Sequence, residues 1–168
     1  MRTTARFTVL DRIPETLRAI ALRRAAELAG IGLIAVTAGL GLALATWSVQ
    51  DPSFNHAAAG PVRNILGAPG AVAADLIMQM LGLSALAFLA PVSFWGWRLI
   101  AARRMERAKA RLALWLGGGV LAAGLAALLP PTARWPLPTG LGGVVGDAIL
   151  AVPRRMLAAH GSGMLVFA

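Results

Sequence analysis

The sequence contains no cysteine and few acidic residues. The absence of cysteine excludes a disulfide framework, a cysteine-based metal site and a thiol nucleophile. Only seven residues are acidic, against sixteen basic ones, and charged residues make up 14% of the chain, whereas an ordinary globular chain is about one quarter charged. Together with 58% hydrophobic residues and a mean hydropathy of +0.71, this scarcity of charge predicts an all-α, polytopic transmembrane helical bundle.

Three apolar runs are long enough to cross a bilayer as helices. A helix needs about 20 mostly apolar residues to span a hydrocarbon core of roughly 30 Å. The expected spans are residues 28–49, 71–97 and 112–129. The segment 130–160 holds only a short apolar run, 141–152, which predicts an interfacial or re-entrant helix. Residues 161–168 look like the start of a fourth span that is cut short, so we interpret the sequence as a fragment.

Basic residues are concentrated in two of the segments outside the expected spans. Six lie in residues 1–27 and six in the loop 98–111, whereas the loop 50–70 and the segment 130–160 hold four between them. Because basic flanking residues remain in the cytoplasm, we expect the N-terminus and the loop 98–111 to be cytoplasmic and the other two segments to be periplasmic. The first apolar run begins too late and is too long for a cleavable signal peptide, so we expect the N-terminus to stay attached. The Arg-rich, Ala-rich and Lys-poor composition suggests a bacterial source, in which the spans would lie in the inner membrane.

Motifs for catalysis, cofactors and metals are missing from the sequence. The single lysine, Lys109, is not part of a phosphate-binding loop, and the glycine-rich stretch 140–146 follows no strand. His56 and His160 are isolated, so no catalytic, cofactor-binding or metal residue is predicted. Eight of the nine net positive charges lie in the two expected cytoplasmic segments. This placement favours attraction to anionic membrane lipid over direct contact with DNA.

Asp75 and Gln79 are four residues apart and therefore share one face of the second expected helix. An acid near a helix start is favoured by the helix dipole, which gives a structural interpretation. Contact with a partner, or a proton or ion pathway, are the alternatives, because carboxylates inside spans often serve such roles.

Small residues recur at every fourth position on two of the expected helices. They are Ala35, Gly39 and Ala43 on the first, and Gly119, Ala123 and Ala127 on the third. Such stripes allow membrane helices to approach closely, either within the chain or between copies.

Four local patterns, in this order, resemble the N-terminal membrane domain of FtsK/SpoIIIE-type DNA translocases. The residues that carry the resemblance are Asp51, Pro52, Ser53, Phe54 and Asn55; Asn64, Gly67, Pro69 and Gly70; Asp75, Gln79 and Gly82; and Gly142, Gly143, Gly146 and Asp147. The resemblance covers about residues 25–168, and residues 1–24 have no counterpart in it. The Asp51-Pro52-Ser53 sequence also has the turn chemistry expected where a helix ends.

The resemblance implies a membrane anchor of four helices, followed in the full protein by a linker and a hexameric DNA motor. ATP and magnesium would belong to that motor, so no cofactor is expected in this chain. The anchor would sit at the division septum, contact other membrane proteins of the division machinery and form a homo-oligomer. We keep two alternatives open: a small transporter or channel subunit that uses Asp75 and Gln79, and a membrane assembly factor without a motor.

Overall fold

The structure is a computed structural model that describes residues 14–54, 60–103, 107–133 and 135–159. Residues 157–159 are described by their backbone only. The described residues form the helices α1 (Glu15–Ala45), α2 (Gly67–Leu81), α3 (Ala85–Ile100), α4 (Ala108–Leu128) and α5 (Gly143–Ala159). A single 3-10 turn, Gly82–Ser84, joins α2 to α3. The expected all-α fold is confirmed, and three segments are long and apolar enough to cross a membrane: Glu15–Ala45, Gly67–Ile100 and Ala108–Leu128. The expected start of a fourth span, 161–168, lies outside the described residues.

Helix α1 is longer than the apolar run 28–49 that predicted it. Its 31 residues correspond to about 46 Å, more than the roughly 30 Å of a hydrocarbon core. Its first residues are Ala, Leu, Arg and Glu in the main, which are strong helix formers in water as well as in lipid. The helix ends at Ala45, after which the Thr46 hydroxyl donates to the Leu42 carbonyl at 2.8 Å.

The second apolar run, 71–97, is folded as two helices rather than one. Gly82 ends α2 in a backbone conformation with φ +55°, which a residue with a side chain rarely adopts. The next amide, that of Leu83, donates to the Leu141 carbonyl at 2.9 Å instead of continuing the helix. The chain then starts again as α3, so a distant loop supplies the hydrogen bond that the interrupted helix lacks.

Helices α1 and α3 pack closely and antiparallel. A Cβ atom on Gly30 would lie 2.6 Å from the Gly96 carbonyl oxygen, and one on Gly96 would lie 2.8 Å from that of Gly30. Further along, Ser93 Oγ donates to Thr37 Oγ1 at 2.8 Å. Glycines at a helix crossing and hydroxyl bonds between helices are typical of membrane bundles, because lipid provides no hydrophobic drive for helices to associate.

Helix α4 continues the bundle by packing against α3 on one side and α5 on the other. The ring of Phe88 lies on Gly119, where a Cβ would collide with it. Trp115 Nε1 donates to the Phe88 carbonyl at 2.9 Å. On the other side, the Ile149 side chain lies against Gly124. The described order of packing is therefore α1, α3, α4, α5.

Small side chains fill the interior, and large apolar side chains cover the outside. The buried apolar residues are mainly alanines: Ala43, Ala71, Ala74, Ala85, Ala123 and Ala127. On α4 the side chains of Leu114, Leu121 and Leu125 are 74%, 68% and 65% exposed. A soluble protein rarely exposes so extended an apolar surface, whereas a lipid-facing helix does so at no cost. The chain is a multi-pass membrane protein.

The bundle has two chemically distinct ends. One, which we call the basic end, comprises residues 15–27, 98–103 and 107–111; the other, the loop end, comprises residues 46–54, 60–66 and 135–142. At the basic end Arg23 and Arg24 form ion pairs with Glu27 at 3.0 and 2.6 Å. Asp51, Asn64, Asp75, Gln79 and Asp147 lie at or next to the loop end.

Candidate functional site

Asp51 and Asn64 hold the loop after α1 against the end of that helix. The Asp51 carboxylate accepts the backbone N–H groups of Arg63 and Asn64 at 2.8 and 2.9 Å and is only 4% exposed. Asn64 Nδ2 in turn donates to the Ala43 carbonyl at 2.8 Å and, at 3.4 Å, to that of Thr46. The last carbonyls of a helix have no partner within it, so this amide caps α1 from a position about twenty residues further along the chain.

The start of α2 is built against Asn64. Gly67 has φ +67°, and its N–H donates to the Asn64 carbonyl at 2.8 Å. Pro69 lies in the first turn of α2, where the missing N–H costs nothing. A Cβ on Gly70 would collide with the Asn64 side-chain oxygen. These residues therefore form one cluster with Asp51, the Asp51–Asn64 clamp, although the chain separates them.

Pro52 and Ser53 follow Asp51 and are half-buried at the loop end, and Phe54 is 82% exposed. Asn55 and His56 lie outside the described residues, as does His160.

Asp75 and Gln79 share one face of α2 and are joined by a hydrogen bond. Gln79 Nε2 donates to Asp75 Oδ2 at 2.7 Å. The other carboxylate oxygen accepts a longer bond, 3.4 Å, from Trp47 Nε1, which ties α2 to the residues just after α1. Sequence reasoning missed Trp47, although a tryptophan at the end of an apolar run is a recognised sign of an interfacial position.

Gly82 and the loop before α5 form a second junction. A Cβ on Gly82 would collide with the Leu141 carbonyl and lie 2.9 Å from the amide nitrogen of Gly143. Gly143 has φ +63°, and a Cβ atom on it would lie 2.6 Å from the Met80 carbonyl carbon and 2.7 Å from the Leu81 amide nitrogen. The end of α2 and the start of α5 thus touch backbone to backbone, an approach that only glycine permits.

Gly142, Gly146 and Asp147 fasten the start of α5 to α4. Cβ atoms on Gly142 or Gly146 would collide with the Ala123 carbonyl. Asp147 Oδ2 accepts the N–H of Gly140 at 3.1 Å, which holds the loop over the first turn of α5. The predicted small-residue stripe on α4 is therefore used within the chain, since Gly119, Ala123 and Ala127 are all buried. On α1 only Ala43 of the predicted stripe is buried, and Ala35 is exposed.

The described residues of the four patterns thus come together as one framework that joins α1, α2, α4 and α5 at the loop end. Its carboxylates accept hydrogen bonds from backbone or side-chain N–H groups of the same chain. Among the residues that the structure describes, no three His, Asp or Glu side chains are grouped as metal ligands would be. The framework is suited to fixing the positions of helices and loops.

Comparison with known proteins agrees with this architecture. Residues 22–168 match the model of a family described as the 4TM region of DNA translocase FtsK/SpoIIIE. DNA translocase FtsK of Bradyrhizobium diazoefficiens is 48% identical over 145 residues, which are 86% of this chain and 18% of that protein. DNA translocase FtsK of Mesorhizobium japonicum is 42% identical over 149 residues, 89% of this chain and 17% of the relative. That of Caulobacter vibrioides is 39% identical over 144 residues, 82% of this chain and 18% of the relative.

No solved structure matches the chain. The chain spans less than a fifth of the length of these relatives. The chain therefore belongs to the FtsK/SpoIIIE family, of which it is the membrane region.

Proposed function

We propose that this chain is the membrane anchor of a DNA translocase, which holds the motor at the division septum during cell division and chromosome segregation. One observation carries the proposal: this chain of membrane helices matches proteins named DNA translocase FtsK over less than a fifth of their length. The motor lies outside this chain, so the anchor itself is not an enzyme. ATP and magnesium belong to that motor.

The internal bonding of the loop end supports a positioning role over transport. A proton or ion pathway needs polar groups that are open to the moving ion. Asp75 instead accepts hydrogen bonds from Gln79 and Trp47, and Asp51 accepts two backbone N–H groups. These bonds favour the anchor over the alternative of a transporter or channel subunit.

The distribution of basic residues supports an orientation with the N-terminus in the cytoplasm. Residues 15–27, 98–103 and 107–111 belong to the same end of the bundle, because α3 runs antiparallel to α1 and α4 returns from that end. Twelve of the sixteen basic residues lie in segments 1–27 and 98–111. The loop end would then face the periplasm.

Contacts with other division proteins, and between copies of the anchor, would use the loop end. Phe54 is 82% and Ile65 is 66% exposed there, in loops held by the Asp51–Asn64 clamp. Large apolar side chains on a fixed loop are typical contact residues of protein interfaces.

Septal localisation tests the proposal. We expect a fluorescent fusion of residues 1–168 to form a band at the division site in a bacterium whose own FtsK it resembles. The double variant Phe54→Ser, Ile65→Ser should spread evenly over the membrane. Its matched control, Leu114→Ala with Leu125→Ala, changes two exposed residues of α4 and should keep the band. An even distribution of the unchanged fusion, at normal membrane insertion, would contradict the proposal.

A further inference from the structure

A groove at the basic end lies between the second half of α3 and the first turn of α4. Its volume is about 220 Å³, and its lining residues are Trp95, Ala108, Arg111 and Leu112. The indole of Trp95 meets that of Trp115 edge to face, with ring centroids 5.5 Å apart. This contact holds the Trp95 side chain in place, so one wall of the groove is fixed by packing between α3 and α4.

The groove combines an apolar wall with a cation at its rim. Leu112 is 49% exposed, Arg111 is half-buried, and the other residues that line the groove are apolar. Tryptophan and arginine at the end of a span are the side chains that occupy the headgroup level of a bilayer. The planar guanidinium group also matches the geometry of a phosphate.

The net positive charge near the groove favours binding of an anionic molecule. Segment 98–111 carries six basic residues and one acid, and basic sites between membrane helices attract anionic headgroups. We propose that the groove binds one anionic phospholipid, with its phosphate at Arg111 and the upper part of an acyl chain against Trp95 and Leu112. The apolar wall favours a lipid over a nucleic acid, which would contact the cation but leave that wall exposed.

Native mass spectrometry of the purified 168-residue chain in detergent tests the site, with phosphatidylglycerol and phosphatidylcholine of equal chain length as probes. We expect bound phosphatidylglycerol to persist at activation energies that strip phosphatidylcholine. Arg111→Gln should weaken phosphatidylglycerol binding about fivefold, the factor expected for one basic residue near an anionic headgroup. Arg111→Lys should weaken it less. The matched control is Lys109→Gln, which removes the same charge from an exposed residue outside the groove and should weaken the affinity by clearly less than Arg111→Gln.

A second pair of variants keeps the test decisive if Arg111→Gln loses helicity by circular dichroism. Leu112→Glu places a negative charge in the groove wall and should abolish phosphatidylglycerol binding, whereas Ala110→Glu places it outside the groove and should not. If both variants of either matched pair lose the same amount of phosphatidylglycerol binding, the lipid is attracted to the basic surface as a whole. That result would overturn the proposal of a site in the groove. The proposal is also overturned if phosphatidylglycerol is not preferred, or if duplex DNA displaces the lipid from the wild-type chain.

Discussion

Asp51 shows how a charged residue can be retained at the end of an apolar helix bundle. Its carboxylate is almost fully buried, yet it accepts two backbone N–H groups that the loop would otherwise leave unpaired. Burial of a charge is tolerated only with such partners. The acid holds Asn64 in place, and the amide of Asn64 donates to the Ala43 carbonyl where α1 ends.

Asp51→Ala should therefore destabilise the bundle. Each N–H left without an acceptor costs about 1–3 kcal/mol, so we expect a clear drop in the free energy of unfolding. The measurement is unfolding in mixed micelles, followed by circular dichroism. Gln50→Ala, at the exposed neighbouring position, serves as the control and should have little effect. Equal stability of the two variants would show that the Asp51–Asn64 clamp contributes nothing to the free energy of unfolding.

Substitutions at Asp75 distinguish the anchor hypothesis from that of a proton-coupled transporter. Asp75→Asn keeps an oxygen for one donor, and the Gln79 amide can reorient towards the new amide, so stability should change little. Asp75→Leu removes the acceptor of both Gln79 and Trp47, at a cost of about 1–3 kcal/mol.

We expect no proton or ion flux in liposomes that carry the wild type or either variant, and septal localisation impaired only in Asp75→Leu. Flux in the wild type that Asp75→Asn abolishes, with folding intact, would favour the transporter.

At the scale of elements, the junction between α2 and α3 is the feature that most shapes the molecule. A straight helix of 34 residues, the length of segment Gly67–Ile100, would extend about 51 Å, well beyond a bilayer core. The break at Gly82 instead directs α3 along α1 and leaves α2 beside Asn64 and Trp47. The loop at Leu141 is part of this junction, because it accepts the amide of Leu83.

Gly82→Ala should disrupt this junction. The new methyl group would meet the Leu141 carbonyl, and the φ of +55° would be strained. We expect a lower unfolding midpoint, together with faster proteolysis in the loop before α5. Gly118→Ala is the control, because a Cβ there meets no neighbouring atom within 4 Å, and it should be neutral or slightly stabilising. Similar midpoints for both variants would mean that the junction can relax around a side chain.

For the whole molecule, the charge asymmetry predicts the topology. Twelve basic residues in segments 1–27 and 98–111, against four elsewhere, favour a cytoplasmic N-terminus. Fusions of a reporter that is active only in the periplasm should be active after Gly60 and Gly140 and silent after Met105. Immunoblots should show equal amounts of each fusion. The reverse pattern of activity would overturn the orientation and move the loop end to the cytoplasm.

The sequence by itself determined the class of the molecule, the approximate apolar runs and the family resemblance. Length and hydrophobicity suffice for the class and the runs, because the bilayer core sets how many apolar residues a span needs, whereas the resemblance depends on four local sequence patterns. The spacing of Asp75 and Gln79 predicted that they share one face of a helix, and the structure shows the hydrogen bond between them.

Only the tertiary structure decided how the runs fold and which small residues meet. Nothing local marked Gly82 as a break, because the bond that makes it possible comes from Leu141, far along the chain. The stripe on α4 packs within the chain, whereas α1 uses Gly30 and Thr37 and leaves Ala35 exposed. In lipid, helices associate through close packing and matched polar groups rather than through apolarity. Hydrophobic patterns therefore reveal the spans, while the contacts between them depend on distant partners.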